Sequence, residues 1–360
     1  MEKGQSGMSQ ITDFKCPCCG GFVEFDPASQ QFKCLYCGQV LSRDDLTESQ
    51  KTPNGQAQAQ PETLEQPPAE GSYRAYHCRS CGAQIVTTAT TAATRCYYCH
   101  NPVVLSDRLD GDFRPDGVIP FTLDKQGAKE AFAKFIAGKK FVNRAFYSQA
   151  QLEDFSGVYY PYWMGDVEGS ATFDGEGTRV SVAHGPQYTV TTPRHYRVHR
   201  EGKVGFRNLF RRALTSADRT LSEGIHPYRY GEMKTYTPEY LSGFMAEMRD
   251  VPEDSAKAEM LQEAEQLVPG MMKRDHTFDT LNGNAAFHAE KTRMKYVLLP
   301  AWVLTWKGRG ENATYYYMMN GQTGEVCGKL PVDKRKLILY CLGAGLIVFA
   351  LLCAGGAWLW

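Results

Sequence analysis

Pairs of cysteines two residues apart occur four times in the chain, in two copies of one spacing. Cys16 and Cys19 are followed by Cys34 and Cys37, and the pattern returns as Cys78, Cys81, Cys96 and Cys99. Thiolates at this spacing project from one tight turn, and two such turns facing each other close a tetrahedral cage of sulfur around zinc. Gly20, Gly38 and Gly82 directly follow cysteines, as tight turns favour. Between the pairs of the first copy, FVEFDPASQQFK alternates apolar and polar residues around a turn, the pattern of a hairpin joining two knuckles. The repeat predicts two zinc ribbons, with these eight cysteines as ligands of two structural Zn2+ ions. Superposing the copies aligns Cys18 with Ser80 and leaves Cys18 spare; its substitution for a neighbouring ligand is the alternative. His77 and His100 adjoin ligands and read as bystanders. Four sulfurs leave no open coordination position, so the metals are expected to fold the units rather than to catalyse. Thioredoxin-like redox chemistry would need a βαβ context, and a second CxxC at fixed distance argues against it.

At the other end, residues 337–360 carry no charge. At about 1.5 Å per residue a helix of that length crosses a hydrocarbon core of roughly 30 Å. Lys329, Lys334, Arg335 and Lys336 crowd its N-terminal flank, nothing charged follows, and Tyr340, Trp358 and Trp360 suit the two interfaces. The positive-inside rule then keeps the preceding bulk in the cytoplasm. The first residues, MEKGQSGMSQITDF, lack the apolar core of a signal peptide. A tail-anchored protein of the cell membrane is expected, and in a reducing cytosol close cysteines favour metal over disulfides.

The organisation read from the sequence is a first ribbon at 1–50, a flexible linker at 51–72, a second ribbon at 73–110, a mixed α+β domain at 111–334 and a transmembrane tail at 335–360. The linker is rich in Gln, Pro, Ala and Glu, with little to bury. In the domain, KQGAKEAFAKFIAG places Ala128, Phe132, Phe135 and Ile136 on one helical face. The stretches GVYYPYWMGDVEGSATF and YVLLPAWVLTWKGRG read as strands that share a proline two residues before a tryptophan, Pro161 with Trp163 and Pro300 with Trp302, which suggests an internal duplication. YYYMMNGQTGEVCGKLP reads as a hairpin with turns at Asn320-Gly321 and Thr323-Gly324. Helices are expected at NLFRRALTSADRTL, at TPEYLSGFMAEM with Thr237 as N-cap and Pro238 in the first turn, and at PEDSAKAEMLQEAEQLV. The fold class is α+β.

Catalytic signatures are missing: there is no phosphate-binding GxxxxGK[ST], GxSxG, HExxH or GxGxxG. His195 and His199 would share a strand face beside Arg197, with no acidic residue or cysteine nearby in sequence to complete a metal site. Arg207, Arg211, Arg212 and Arg219, interleaved with Phe206, Leu209, Phe210, Ala213 and Leu214, read as a basic amphipathic helix for a membrane surface or a partner, or as an ordinary surface helix. Through residue 110 nine Lys/Arg face twelve Asp/Glu, and the whole chain carries 40 of each, so the basic footprint of nucleic-acid binding is absent.

The double ribbon, the passage VVLSDRLDGDFRPDGVIPF, YYPYW, GEMKTYTPEYLSGFMAEM and the single C-terminal span together resemble a group of bacterial tail-anchored membrane proteins with TFIIB-type zinc ribbons. Such proteins are often labelled as homologues of the helicase PriA, a label that this chain, lacking helicase phosphate-binding motifs, does not support. The resemblance implies a membrane-stress setting and partners among PspA-like and SPFH/flotillin-like proteins. His100 departs from the glycine usual after the last ribbon cysteine. The resulting expectation is a non-catalytic membrane adaptor that docks protein partners, with no small-molecule substrate and an open oligomeric state. Exposed aromatics at Tyr36, Tyr97 and Tyr98 would serve docking or shield the knuckles. A membrane-tethered nucleic-acid binder and an enzyme with an unfamiliar site are the alternatives. Protease added outside intact cells should leave the ribbons uncut, and deletion of 337–360 should release a soluble chain; digestion from outside would invert this topology.

Overall fold

The computed structural model describes residues 11–12, 14–50, 73–78, 81, 84–88, 90–96, 98–105, 109, 111–142, 155–274, 277–307, 314–328 and 332–358. The linker read at 51–72 lies outside them. The first cysteine module follows a short strand β1 (Ile11–Thr12) and contains the three-stranded sheet β2 (Val23–Asp26), β3 (Gln31–Cys34) and β4 (Val40–Leu41), then helix α1 (Arg43–Gln50). The second consists of two antiparallel hairpins, β5 (Tyr73–His77) with β6 (Gln84–Thr88) and β7 (Thr91–Arg95) with β8 (Pro102–Leu105).

Beyond them come β9 (Gly117–Val118), α2 (Lys125–Ala137), β10 (Ser156–His184), β11 (Thr189–Arg212), α3 (Arg219–Gly224), β12 (Lys234–Thr235) and β13 (Met245–Glu247). The chain continues through α4 (Glu253–Lys273), β14 (Thr280–Lys307), β15 (Thr314–Asn320), β16 (Val326–Gly328) and α5 (Lys334–Trp358). One large sheet runs in the order β1, β8, β7, β13, β10, β14, β15, β16, with β11 on β10 and β9 bridging β12 and β14. The second module is therefore not a bead on a string: β7 pairs with β13 through Ala93 and Ala246, so the segments read as 73–110 and 111–334 share a sheet. The two proline-tryptophan strands lie side by side as β10 and β14, antiparallel, with Tyr159 opposite Pro300.

At 29 residues, β10 reaches about 95 Å at roughly 3.3 Å per residue, several times an ordinary strand. Its outer half forms a three-stranded ribbon with β11 and β14 that leaves the body. One face of that ribbon takes α4, whose buried stripe packs Ala264 and Val268 with Val167, Ala171, Val204 and Phe206, while Ala256 and Met260 join the main core. Here glycine has a packing reason. A Cβ at Gly175 or Gly283 would strike the facing strand's backbone first, at the Asn282 or Asp174 carbonyl, and would also stand 2.8 Å from Phe173 Cζ, so the two glycines let the strands and this ring close together.

The helix expected at NLFRRALTSADRTL is instead the end of β11, with α3 only at its far side. Asn208, at φ 55°, sits in a bulge where the β10–β11 register shifts, and its amide donates to Asp166 Oδ1 at 3.0 Å. The extra residue puts Phe206 and Leu209 against the α4 side, a spacing of three that imitates a helix. Two arginines of that run are used internally, while Arg207 and Arg219 are exposed. Arg211 reaches Glu263 at 2.6 Å on α4, and Arg212 donates to the carbonyls of Leu214, Thr215 and Ala217. The helix at TPEYLSGFMAEM shrinks to a 3-10 turn over Pro238–Leu241, because Gly243 at φ 92° turns the chain into β13. The helix starting near Pro252 continues through Pro269 to Lys273. Helix α2 buries Ala128, Phe132 and Ile136 as its periodicity demands, capped by Asp124, which accepts from the Gly127 amide at 2.7 Å.

The first module is seated on the body. The Phe25 amide donates to the Ser242 carbonyl at 3.1 Å, Ser242 Oγ donates to the Val23 carbonyl, and Phe25 meets Tyr240 edge-on at 5.4 Å. Gln30 Nε2 donates to the Phe121 carbonyl at 2.7 Å, and Arg95 of the second module pairs with Glu24 of the first at 2.8 Å. Phe14, Val23, Phe25, Phe32, Leu41 and Leu46 belong to the same buried cluster as Phe121, Tyr159, Leu241 and Trp302.

Behind the sheet, the loop after α3 holds His226 among Tyr162, Phe210 and Tyr228, with ring centroids at 5.4, 5.0 and 5.2 Å. Burial lowers its pKa to about 4, well below the usual imidazole value. Below about pH 6.5 the unfolded chain therefore takes up a proton that the folded one refuses until about pH 4. Stability should fall across that window by up to about 3 kcal/mol, as 1.36 kcal/mol per pKa unit requires. His226→Phe should flatten the dependence of the unfolding midpoint between pH 6.5 and pH 4.5, about the range above most carboxylates; an unchanged slope would place the titration elsewhere.

Candidate metal centres

Backbone bonds close the knuckles at Cys16, Cys34 and Cys96 in the same way. At Cys16 the amide donates to the Gly21 carbonyl at 2.7 Å and the Gly20 amide returns to the Cys16 carbonyl at 2.8 Å. Cys34 repeats this with Gln39 and Gly38, and Cys96 with Asn101 and His100, at 2.9 to 3.1 Å. The residue four beyond the leading cysteine must adopt a left-handed conformation, and Gly20, Gly38 and His100 do so at φ 71°, 72° and 58°. His100 thus occupies a glycine position at a steric cost that Gly20 and Gly38 avoid. Gly82, His77's side chain and Tyr97 lie outside the described residues.

The sequence repeat is matched in space. The sulfurs of Cys16, Cys19, Cys34 and Cys37 lie within 4.8 Å of one another, as do those of Cys78, Cys81, Cys96 and Cys99. Cross-knuckle separations are 3.8 Å for Cys16 to Cys37 and 3.5 Å for Cys19 to Cys34. In the second cluster Cys78 to Cys99 and Cys81 to Cys96 are both 3.7 Å. A tetrahedron with metal–sulfur bonds of about 2.3 Å has edges of about 3.8 Å, whereas a disulfide needs about 2.05 Å. The donor sets therefore fit two metal sites and exclude disulfides within them. Cys18 is exposed and belongs to neither group. In each cluster one sulfur of each knuckle is buried, Cys16 with Cys34 and Cys78 with Cys96, while Cys19, Cys37 and Cys81 face outward.

The thiolate is favoured at the second knuckle of each module and disfavoured at Cys19, where the Gly21 amide lowers the pKa but the Cys34 and Cys37 thiols and burial outweigh it and push it up to about 12. Burial raises the Cys34 thiol, but the amides of Cys37 and Tyr36 and the flanking thiols outweigh it, and its pKa falls to about 7. Cys96 behaves alike through the amides of Cys99 and Tyr98, again to about 7 against the burial that opposes it. Such N–H donors stabilise a metal-bound thiolate as they do a free one.

The other residues singled out by sequence fall elsewhere. His199 and His195 lie on the exposed ribbon: His199 Nδ1 contacts Asp174 Oδ1 at 2.7 Å, and His195 Nδ1 lies 3.1 Å from Thr178 Oγ1. The acidic neighbour judged missing from the sequence is thus supplied across the strands, by the Asp174–His199 register. Tyr36 and Tyr98 stand on corresponding knuckles, 68% and 71% exposed, with Leu35 beside the first at 51%. A cleft of about 590 Å³ lies between the modules, lined by Glu24, Lys33, Arg95, Phe155 and Trp302 among others. Nothing in the local sequence announces it, because its walls come from segments far apart along the chain.

Among the described residues one helix, α5, is long and apolar enough to cross a membrane: its window of 334–353 has a mean hydropathy of 2.3 and no buried share. The chain is 29% identical over 340 residues to the uncharacterized protein YdjG of Bacillus subtilis (strain 168), a match covering 92% of this chain and 94% of that one. No protein-family model and no solved structure matches it.

Elemental analysis of the purified chain should give about two metal ions, one per tetrahedral donor set. Cys19→Ser and Cys81→Ser should each lose one, and Cys18→Ser none; loss with Cys18→Ser would overturn the assignment. His100→Gly should raise the unfolding free energy modestly, by about 0.5 kcal/mol, once the left-handed strain is weighed against the added freedom of glycine, as denaturant unfolding would read.

Proposed function

We propose that the protein is a non-catalytic, zinc-binding adaptor of the cell membrane, anchored by α5 with its bulk in the cytoplasm, whose two zinc ribbons dock partner proteins. The observation that carries this reading is the pairing of closed four-sulfur clusters with exposed aromatics at their knuckles. A metal with four protein ligands offers no site for substrate, so the useful surface is the rim, where Leu35, Tyr36 and Tyr98 present apolar area with a polar edge. The uncharged helix and its cationic flank support the anchor and its orientation. The resemblance to bacterial ribbon-bearing membrane proteins supports a membrane-stress role with PspA-like or SPFH/flotillin-like partners.

Because the first module shares its core with the body, deletion of the N-terminal region would unmask Phe121, Tyr240 and Leu241 and confound any loss of binding. Surface substitution is the cleaner test. The variant Leu35→Ser/Tyr36→Ala/Tyr98→Ala should keep both metals and its place in the membrane, yet recover its native partner from mild detergent at least about tenfold less well, the scale of aromatic anchors in interfaces. Unchanged recovery would remove the docking role of the knuckles. Binding of DNA or RNA that weakens steeply with salt would favour a tethered nucleic-acid binder instead.

A further inference from the structure

Residues almost two hundred positions apart converge where α5 begins. Helix α2 ends at Ala137, and the turn after it carries Lys139, Lys140 and Phe141. Val142 forms an antiparallel bridge with Val332, and the Asp333 amide donates to the Phe141 carbonyl at 2.7 Å. The Phe141 ring then packs edge-on against Tyr340, 5.3 Å between centroids, which sets the turn level with the second turn of α5. Lys139 Nζ stands 4.7 Å over the Phe135 ring. Lys139 and Lys140 are exposed, as are Lys334 and Arg335. With Lys336, which pairs with Asp333 at 3.6 Å, five cationic residues lie on this turn and the first turn of the helix, and within 138–142 and 332–337 Asp333 is the one carboxylate.

This placement runs against helix electrostatics. Cations in a first turn face the positive end of the dipole, which Asp333, accepting from the Arg335 and Lys336 amides, opposes. Lysines at 139 and 140 also have no bearing on how a C-terminal segment is oriented in a bilayer, being far from it in sequence. An interfacial tyrosine with cations at its own height is the arrangement that meets the headgroup layer.

We propose that this collar binds acidic glycerophospholipid headgroups and so fixes the body against the bilayer surface. The proposal rests on the reading of α5 as a membrane anchor. Charge complementarity and continuity with the anchor select the lipid of the same leaflet as the occupant.

The full-length protein, held in nonionic detergent with equal phosphatidylglycerol and phosphatidylcholine, should retain the acidic lipid preferentially when bound lipid is counted by mass spectrometry. Each headgroup-level lysine is expected to contribute about fivefold. Lys139→Glu/Lys140→Glu should therefore cut the preference at least about tenfold, Lys139→Arg/Lys140→Arg should retain it, and raising salt from about 50 to about 500 mM should erode it. Absence of any preference in the wild type, or an equal preference in the glutamate variant, would overturn the collar. Alkaline carbonate extraction separates this from the anchor: a wild-type chain that stays in the membrane without acidic-lipid preference refutes the collar alone, while a chain released by carbonate refutes both.

Discussion

The antiparallel ladder between β10 and β14 is the constraint on which the rest of the molecule depends. Its register, from Ser156 opposite Val303 to Thr178 opposite Thr280, spans the body and the projecting ribbon without exchanging strands. At the body end the same β10 residues receive β13, and through β13 the second cysteine module; β14 receives β15 and the hairpin leading toward α5. A one-residue slip would exchange the two buried faces, setting the positions of Tyr159, Trp163 and Trp302 against those of Tyr162, Leu299 and Ala301, so side-chain packing on both faces helps fix the register.

The cysteine clusters add a second, local order. Their knuckles close through backbone bonds of the same kind at Cys16, Cys34 and Cys96, and the sulfurs already stand at the edge length of a metal-centred tetrahedron. One cluster sits in a module seated on the body by Phe25 and Ser242; the other lies between a separate two-stranded hairpin, β5–β6, and the β7–β8 hairpin, which is continuous with the main sheet. A metal bound at the second cluster would therefore couple to folding of the body most directly through β7 and β8.

Legibility followed the range of the interaction. Cysteine spacing is a local code, so all eight clustered sulfurs and the spare Cys18 could be read from the repeat. The face of α2, the turns after Asn320 and the apolar run of α5 were equally local. What failed was parity across a bulge: one extra residue at Asn208 gave Phe206 and Leu209 a helical spacing within a strand. Thr237 and Pro238 did mark a beginning, but Gly243 and the demand of Ser242 for partners in the first module stopped it after a single turn. The seating of that module, the cleft beside it and the partner of His199 depend on contacts between distant segments, and no window of sequence contains them.

The projecting ribbon also has a mechanical character. Its inter-strand bonds lie across the strand axis, so a pull along β10 that leaves through β14 loads many of them together in shear, whereas a sideways pull at the tip opens them one at a time. Helix α4, lying along the same three strands, stiffens the inner part against bending, and the hairpin beyond Thr178 is left as the compliant end. A load applied at that end would reach the body nearly undiminished along the ribbon and be dissipated by unzipping across it.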